Sequence, residues 1–184
     1  MPGRVWERAF EKAVDQYGFI TFGDLREQGE DPVRLRQWHQ HDRIERVGHG
    51  IYRFRQVPET SLDQYMLATL WPSGRGVLSH ETALELHELC DVNPEVIHLT
   101  LPRGYRPRRR GGERYVLHVE QLGTSDVTWH ESISIVQPAV AIRQAIDDGT
   151  PTPLVRQAID TAQRLGRASR EELVELAQQL GARR

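Results

Sequence analysis

Apolar residues recur at helical spacing from the start of the chain. Val5, Trp6, Ala9, Phe10, Ala13, Val14 and Tyr17 form one broad stripe, which predicts a first helix that Gly18 stops. Thr21-x-x-Asp24 has the form of a capping box and opens a short second helix with Phe22 and Leu25 inward, closed by Gly29. Asp31 then supplies an N-cap and Pro32 a first-turn proline for a third helix over 32–42. On that helix Leu35 and Trp38, three apart, anchor the inner face. Two short strands follow, 43–47 and 51–55, joined by Gly48-His49-Gly50. Glycine takes positive φ without a steric penalty, so this tripeptide suits a hairpin loop. Ile44, Val47, Ile51 and Tyr52 carry the apolar pattern through the hairpin.

A Pro58-containing segment over 56–61 reads as a domain boundary, and a helix is expected over 62–71, closed by Pro72-Ser73-Gly74. Val77-Leu78 suggests a short strand, with Ser79 capping a helix that runs to Leu89. Residues 96–101 are the clearest strand of the chain, stopped by Pro102; 115–119 and 133–136 are further strands. Three helices finish the sequence, over 138–147, 153–165 and 170–180, with Gly149, Gly166 and Gly181 as stops. Ser169-x-x-Glu172 is a second capping box. The expected fold class is α+β: an N-terminal domain over 1–57, then a larger α/β domain over 58–184 with a small sheet and C-terminal helices.

Composition adds limits. The 184 residues carry a formal net charge of −2 and 38% hydrophobic residues, so a folded chain is expected and a general polycation is excluded. Any contact with nucleic acid must come from local charge. Residues 31–57 hold six arginines against Asp31, Asp42 and Glu45; residues 103–114 hold six against Glu113 alone. Lys12 is the only lysine, a bias that coding composition explains as well as function does. One cysteine, Cys90, excludes an intrachain disulfide and a multi-thiolate metal site. No apolar run approaches the ~18 residues of a membrane helix, and the first residues lack a signal-peptide core. A cytoplasmic location with no membrane contact is therefore expected.

Helix, turn, helix and then a β-wing is the layout of a winged helix-turn-helix, whose second helix enters the major groove. With Leu35, Trp38 and Asp42 facing the core, the outer face of the third helix is Val33, Arg36, Gln37 and Gln40, flanked by Arg34 and His41. Arginine pairs with guanine and glutamine with adenine in the major groove. On the wing, Arg43, Arg46, Arg53 and Arg55, with His49 at the tip, are placed to reach phosphates or the minor groove. The expected DNA-contacting set is Arg34, Arg36, Gln37, Gln40, His41, Arg46, His49 and Arg53. The competing reading is a solvated helix and hairpin in a protein-docking module. The stretch holding Arg103, Arg106, Arg108, Arg109 and Arg110 reads as a mobile basic loop, either a second nucleic-acid contact or a docking loop.

Enzyme signatures are missing. There is no Gly-x-Gly-x-x-Gly, P-loop, Gly-x-Ser-x-Gly or nuclease-like carboxylate cluster. His80-Glu81 with His87 invites a zinc reading, but the zincin pattern needs the second histidine at i+4, where Leu84 stands. His80, Leu84 and His87 are expected to share a packed face. His98 and His118 are expected on a solvent face or as hydrogen-bonded partners. No catalytic residue, metal site or cofactor is expected, so a non-enzymatic protein is the reading.

Several strings resemble one family. Arg43-Ile44-Glu45-Arg46-Val47 followed by Gly50-Ile51-Tyr52 is similar to the wing of AbiEi-type antitoxins, the DNA-binding halves of type IV toxin–antitoxin systems. Leu78-Ser79-His80-Glu81-Thr82-Ala83-Leu84, then His87-Glu88-Leu89, then His98-Leu99-Thr100-Leu101-Pro102-Arg103 resembles their SHxSAL…LHGL…HLTVPR string. Gln137-Pro138-Ala139-Val140-Ala141-Ile142 is similar to their TPARTI helix start. Glu88 stands where many relatives have glycine, and Gln137 where they often have threonine. The resemblance implies a winged domain that binds inverted repeats in double-stranded DNA of its own promoter and represses its operon. It also implies a C-terminal antitoxin domain that counters a nucleotidyltransferase toxin without a stable complex. Relatives of this architecture include orphan regulators that lack a toxin, which stays open as the alternative beside a protein- or RNA-docking module.

Overall fold

A computed structural model describes residues 3–107 and 111–182. Among these, eight helices and two small sheets give an α+β protein. The chain divides into two compact units: Met1–Gly76 with Arg106–Glu113, and Val77–Tyr105 with Arg114–Arg184. The first unit thus runs on past residue 57 to include the helix that follows.

The first unit contains α1 (Arg4–Val14), β1 (Phe19–Thr21), α2 (Phe22–Glu27), α3 (Val33–Gln40), β2 (Glu45–Gly48), β3 (Ile51–Arg53) and α4 (Asp63–Leu70). Its sheet has the order β1-β3-β2, antiparallel throughout. Ala9, Ala13, Ile20, Leu25, Leu35, Trp38, Ile44, Tyr52 and Phe54 form the core. Trp6 packs edge-on to Trp38 and to Phe54, with ring centroids 4.9 Å apart in each pair. Edge-to-face packing suits the ring quadrupoles, so these rings lock α1 against both α3 and the wing.

The start of α2 follows its sequence. The Thr21 N–H donates to Asp24 Oδ2 at 2.7 Å, and the Asp24 N–H donates to Thr21 Oγ1 at 3.2 Å. Two N–H groups that the helix would leave open are satisfied reciprocally. At α3 the Asp31 carboxylate accepts from the Val33 N–H at 2.8 Å. The helix is shorter than its pattern predicts. Asp42, expected on the inner face, lies beyond the last turn with φ of 54° and is exposed. Val14, expected in the apolar stripe of α1, is 51% exposed because it is the helix's final residue.

The second unit contains β4 (Val77–Leu78), α5 (His80–Leu86), β5 (Ile97–Leu101), β6 (Tyr115–Val119), β7 (Val127–His130), β8 (Ile133–Val136), α6 (Pro138–Asp148), α7 (Thr152–Leu165) and α8 (Arg170–Ala182). The five strands form a mixed sheet of order β6-β5-β4-β8-β7. The helices bury apolar stripes, including Ala141, Ile142, Ala145 and Ile146 of α6, Val155, Ala158 and Ala162 of α7, and Leu173 and Leu176 of α8. Gly149 and Gly166 take left-handed φ and end α6 and α7. Ser169 and Glu172 exchange the two capping hydrogen bonds at α8.

Two expectations are corrected here. Gly181 lies inside α8 and does not stop it. Ser79 stands at the N-cap position of α5, but its hydroxyl makes no capping hydrogen bond and instead engages His80 Nδ1 at 2.9 Å. His80, Leu84 and His87 are all buried along α5 and its C-terminal end, with His87 Nε2 2.8 Å from the Val136 carbonyl and the His80 ring stacked on His118.

Candidate nucleic-acid interface

The outer face of α3 is set by its inner one. Leu35 is fully buried and Trp38 is 9% exposed, which turns Arg34, Arg36, Gln37 and Gln40 outward, all exposed. The adjoining wing is a tight hairpin. Gly48 pairs with Ile51, leaving His49 and Gly50 as the loop, and Val47 forms a bulge between the pairs Arg46–Tyr52 and Gly48–Ile51. Gly50 has φ of 71°, and a Cβ there would meet Phe22 at 2.9 Å. The wing therefore closes directly onto the first turn of α2, with the Phe22 N–H donating to the Gly50 carbonyl at 3.0 Å.

Helix and wing together enclose a groove of about 270 Å³, lined by Arg36 and Gln40 from α3, Arg46 and His49 from the wing, and Phe22 and Tyr52 beneath them. His39 also lines it, its ring 5.9 Å from that of Tyr52 and its Nδ1 3.2 Å from the Ile44 carbonyl. The Arg36 guanidinium lies over the Phe22 ring at 5.3 Å, a cation–π placement that limits its rotamers. Arg46 donates from Nε to the Gly48 carbonyl at 3.3 Å, so its remaining N–H groups point away from that turn. The groove has an aromatic floor and a cationic, hydrogen-bonding rim. That combination suits an anionic, base-bearing polymer.

Of the residues expected at the interface, Arg36, Gln40, Arg46 and His49 come together in this groove. Gln37 and His41 are exposed beside it. Arg34 is exposed but ion-paired to Glu30 at 3.4 Å, and Glu30 also engages Arg8. Arg53 is a correction. It is 8% exposed and donates to the Val57 carbonyl at 3.0 Å and to Asp63 at 3.1 Å, because β3 is the central strand and this side chain is enclosed by the residues that follow it. Arg43 lies over Trp6 at 3.8 Å, and Arg55 pairs with Glu45 at 3.7 Å. Phe22, His39 and Tyr52 were not expected in the groove. Phe22 and Tyr52 belong to the apolar pattern that the sequence assigns to the core, whereas His39 carries no assignment there and is exposed.

Arg103 and Arg106 are exposed, whereas Arg108, Arg109 and Arg110 lie outside the described residues. In the same connection between β5 and β6, Gly112 sits so near Trp71 that a Cβ would meet its indole at 2.5 Å. Among the described residues no helix is long and apolar enough to cross a membrane.

The fold and groove of the first unit define a winged helix-turn-helix. Residues 7–55 match the family described as transcriptional regulator, AbiEi antitoxin. The crystal structure of the RV2827C protein from Mycobacterium tuberculosis is similar in fold. It aligns with a TM-score of 0.56 at 16% identity, covering 100% of this chain and 75% of that one. No curated protein matches the sequence. The description of that family is a regulatory one.

Proposed function

We propose that this protein is a sequence-specific DNA-binding transcriptional regulator that acts as the antitoxin and autorepressor of a type IV toxin–antitoxin operon. The observation that carries the reading is the convergence of Arg36 and Gln40 of α3 with Arg46 and His49 of the wing on one groove. In the DNA complex α3 enters the major groove, Arg36, Gln37 and Gln40 meet base edges, and Arg46 and His49 hold the backbone. Arg34 and His41 flank the helix, and Arg103 and Arg106 offer a second basic contact. The net charge of −2 makes this local cationic surface the source of affinity, so binding is steeply salt-dependent.

The antitoxin role rests on the family match over residues 7–55. In this reading the protein represses its own promoter through inverted repeats and counters a nucleotidyltransferase toxin without forming a stable complex, in the cytoplasm. Titrating the protein into its own promoter and into scrambled DNA of equal length tests the first part. Preferential binding of the promoter at moderate salt is expected; equal retention of both duplexes would sink sequence-specific regulation. Co-expression with the product of an adjacent nucleotidyltransferase gene tests the second, and continued growth arrest would remove the antitoxin role.

A further inference from the structure

Buried polar side chains in the second unit are concentrated in one place. Ser79, His80, Thr82, His98, Thr100 and Gln144 are each at most 8% exposed. They come from the β4–α5 junction, from β5 and from α6, and β6 adds His118. The β5–β6 register pairs His98 with Val116 and Thr100 with His118. Side chains alternate across a strand, so His98, Thr100 and His118 project from the same face. The Ser79 N–H donates to the His98 carbonyl at 3.1 Å, which brings His80 to the same spot from the neighbouring strand.

We propose that His80, His98 and His118 form a binding site for one divalent first-row transition ion, with zinc the best match. Their donor nitrogens all lie within 4.8 Å of one another. His98 Nδ1 faces His118 Nε2 at 3.0 Å. Two imidazole nitrogens bound to one tetrahedral ion at ~2.0–2.1 Å sit about 3.3 Å apart, so this pair is already close to ligating separation. The His80 ring stacks on that of His118 with centroids 3.4 Å apart, so ligation of one ion by both requires the His80 ring to turn out of the stack. Its Nδ1 is held by Ser79 Oγ at 2.9 Å, leaving Nε2 to ligate. A hydrogen bond to the non-ligating nitrogen is what fixes tautomer and ring direction in histidine metal sites.

The surroundings agree. Burial lowers the pKa of all three rings, to about 3 for His80, with the other two rings adding to the effect there. His80 is held at φ of 51°, a conformation a β-carbon disfavours, and its N–H donates to Gln144 Oε1 at 3.3 Å. Two of the nearby carboxylates are already engaged: Glu120 by Arg143 at 2.5 Å and Gln144 at 2.7 Å, Glu81 by Thr150 at 2.9 Å. They provide negative charge around the cation without being ligands. Three imidazoles and no thiolate select a borderline ion over calcium or magnesium, and leave coordination positions for water or an anion.

Cobalt(II) titrated into the stripped full-length protein tests this, because a histidine-bound ion gives a visible ligand-field band. The expected result is one ion per chain, displaced by one equivalent of zinc. His118→Gln and His98→Gln are expected to weaken binding at least ~100-fold, and Ser79→Ala about 10-fold through lost orientation. Equal binding by wild type and by the triple glutamine variant would overturn the site, assigning the ion to exposed histidines such as His41. Should the variants fail to fold, X-ray absorption on the zinc-loaded wild type decides. Three imidazole nitrogens at ~2.0–2.1 Å support the site, and fewer than three overturn it.

Discussion

Arg53 on the central wing strand donates to Asp63 at the start of α4, 3.1 Å away, with both side chains largely enclosed. The same guanidinium donates to the Val57 carbonyl and lies over the Phe19 ring at 5.8 Å. An arginine that reads as a DNA contact is thus a clamp between the wing and the segment behind it. Truncating it leaves the Asp63 carboxylate with the Thr60 N–H and hydroxyl but without this cationic partner. Arg53→Ala is expected to cost about 2–4 kcal/mol of stability, measured by denaturant unfolding. The salt slope of DNA binding by the folded fraction should stay unchanged. A lower slope with unaltered stability would return Arg53 to the interface. The nearby Glu59, 83% exposed and 3.8 Å away, adds little.

The helix and the wing should separate by kind of effect. Arg36, oriented over Phe22, is expected to read a base; Arg36→Ala should reduce discrimination at one operator position by about 1–3 kcal/mol. Arg46→Ala should weaken every duplex alike and lower the slope of log K against log salt by about 0.9. Fluorescence anisotropy with promoter and scrambled DNA over a salt series reads both. Identical behaviour of the two variants would mean that the groove does not divide its labour between bases and backbone.

The elements legible in the sequence were those with a long period or a reciprocal cap. The helix stripes, the Thr21–Asp24 and Ser169–Glu172 boxes, and strands Tyr115–Val119 and Ile133–Val136 all follow from local chemistry. Strand β1 was not, because three residues carry no period, and pairing of Ile20 with Tyr52 is what makes them a strand. The β7–β8 hairpin was hidden for another reason. Its turn puts Glu131 and Ser132 at φ of 48° and 67°, where asparagine and glycine would have signalled a primed turn. At the groove, the outward face of α3 followed from Leu35 and Trp38, whereas the aromatic floor required the fold. The histidine cluster depends on strand register across unrelated segments, which no spacing rule conveys.

Gly50 offers a test of the wing closure. Substituting alanine imposes both a left-handed φ and a contact at 2.9 Å with Phe22, the ring beneath Arg36. Gly29 has a similar φ of +74° with nothing within 4 Å of a would-be Cβ. Gly29→Ala should therefore cost about 1 kcal/mol from backbone strain alone. Gly50→Ala should cost about 1–2 kcal/mol more and also weaken promoter binding, since Phe22 must shift. Equal losses for the two variants would show that the wing tip yields without disturbing α2.

His87 links stability to pH. Its Nε2 lies 2.8 Å from the Val136 carbonyl, so the neutral ring donates there, and burial lowers its pKa with Arg167 and His130 acting in the same direction. The folded pKa thus lies below the unfolded value of 6.5. Below that value the unfolded chain binds a proton that the folded chain resists, so stability is full above it and declines as pH falls toward the folded value. His80, His98 and His118 shift the same way, and the wild type should lose stability steadily on acidification. His87→Gln keeps an amide donor for Val136 without a titrating ring. Urea unfolding at about pH 7.5 and about pH 5 should then show a smaller loss for the variant than for the wild type. Equal losses would mean that His87 is reached by water in the folded state and contributes nothing to the acid response.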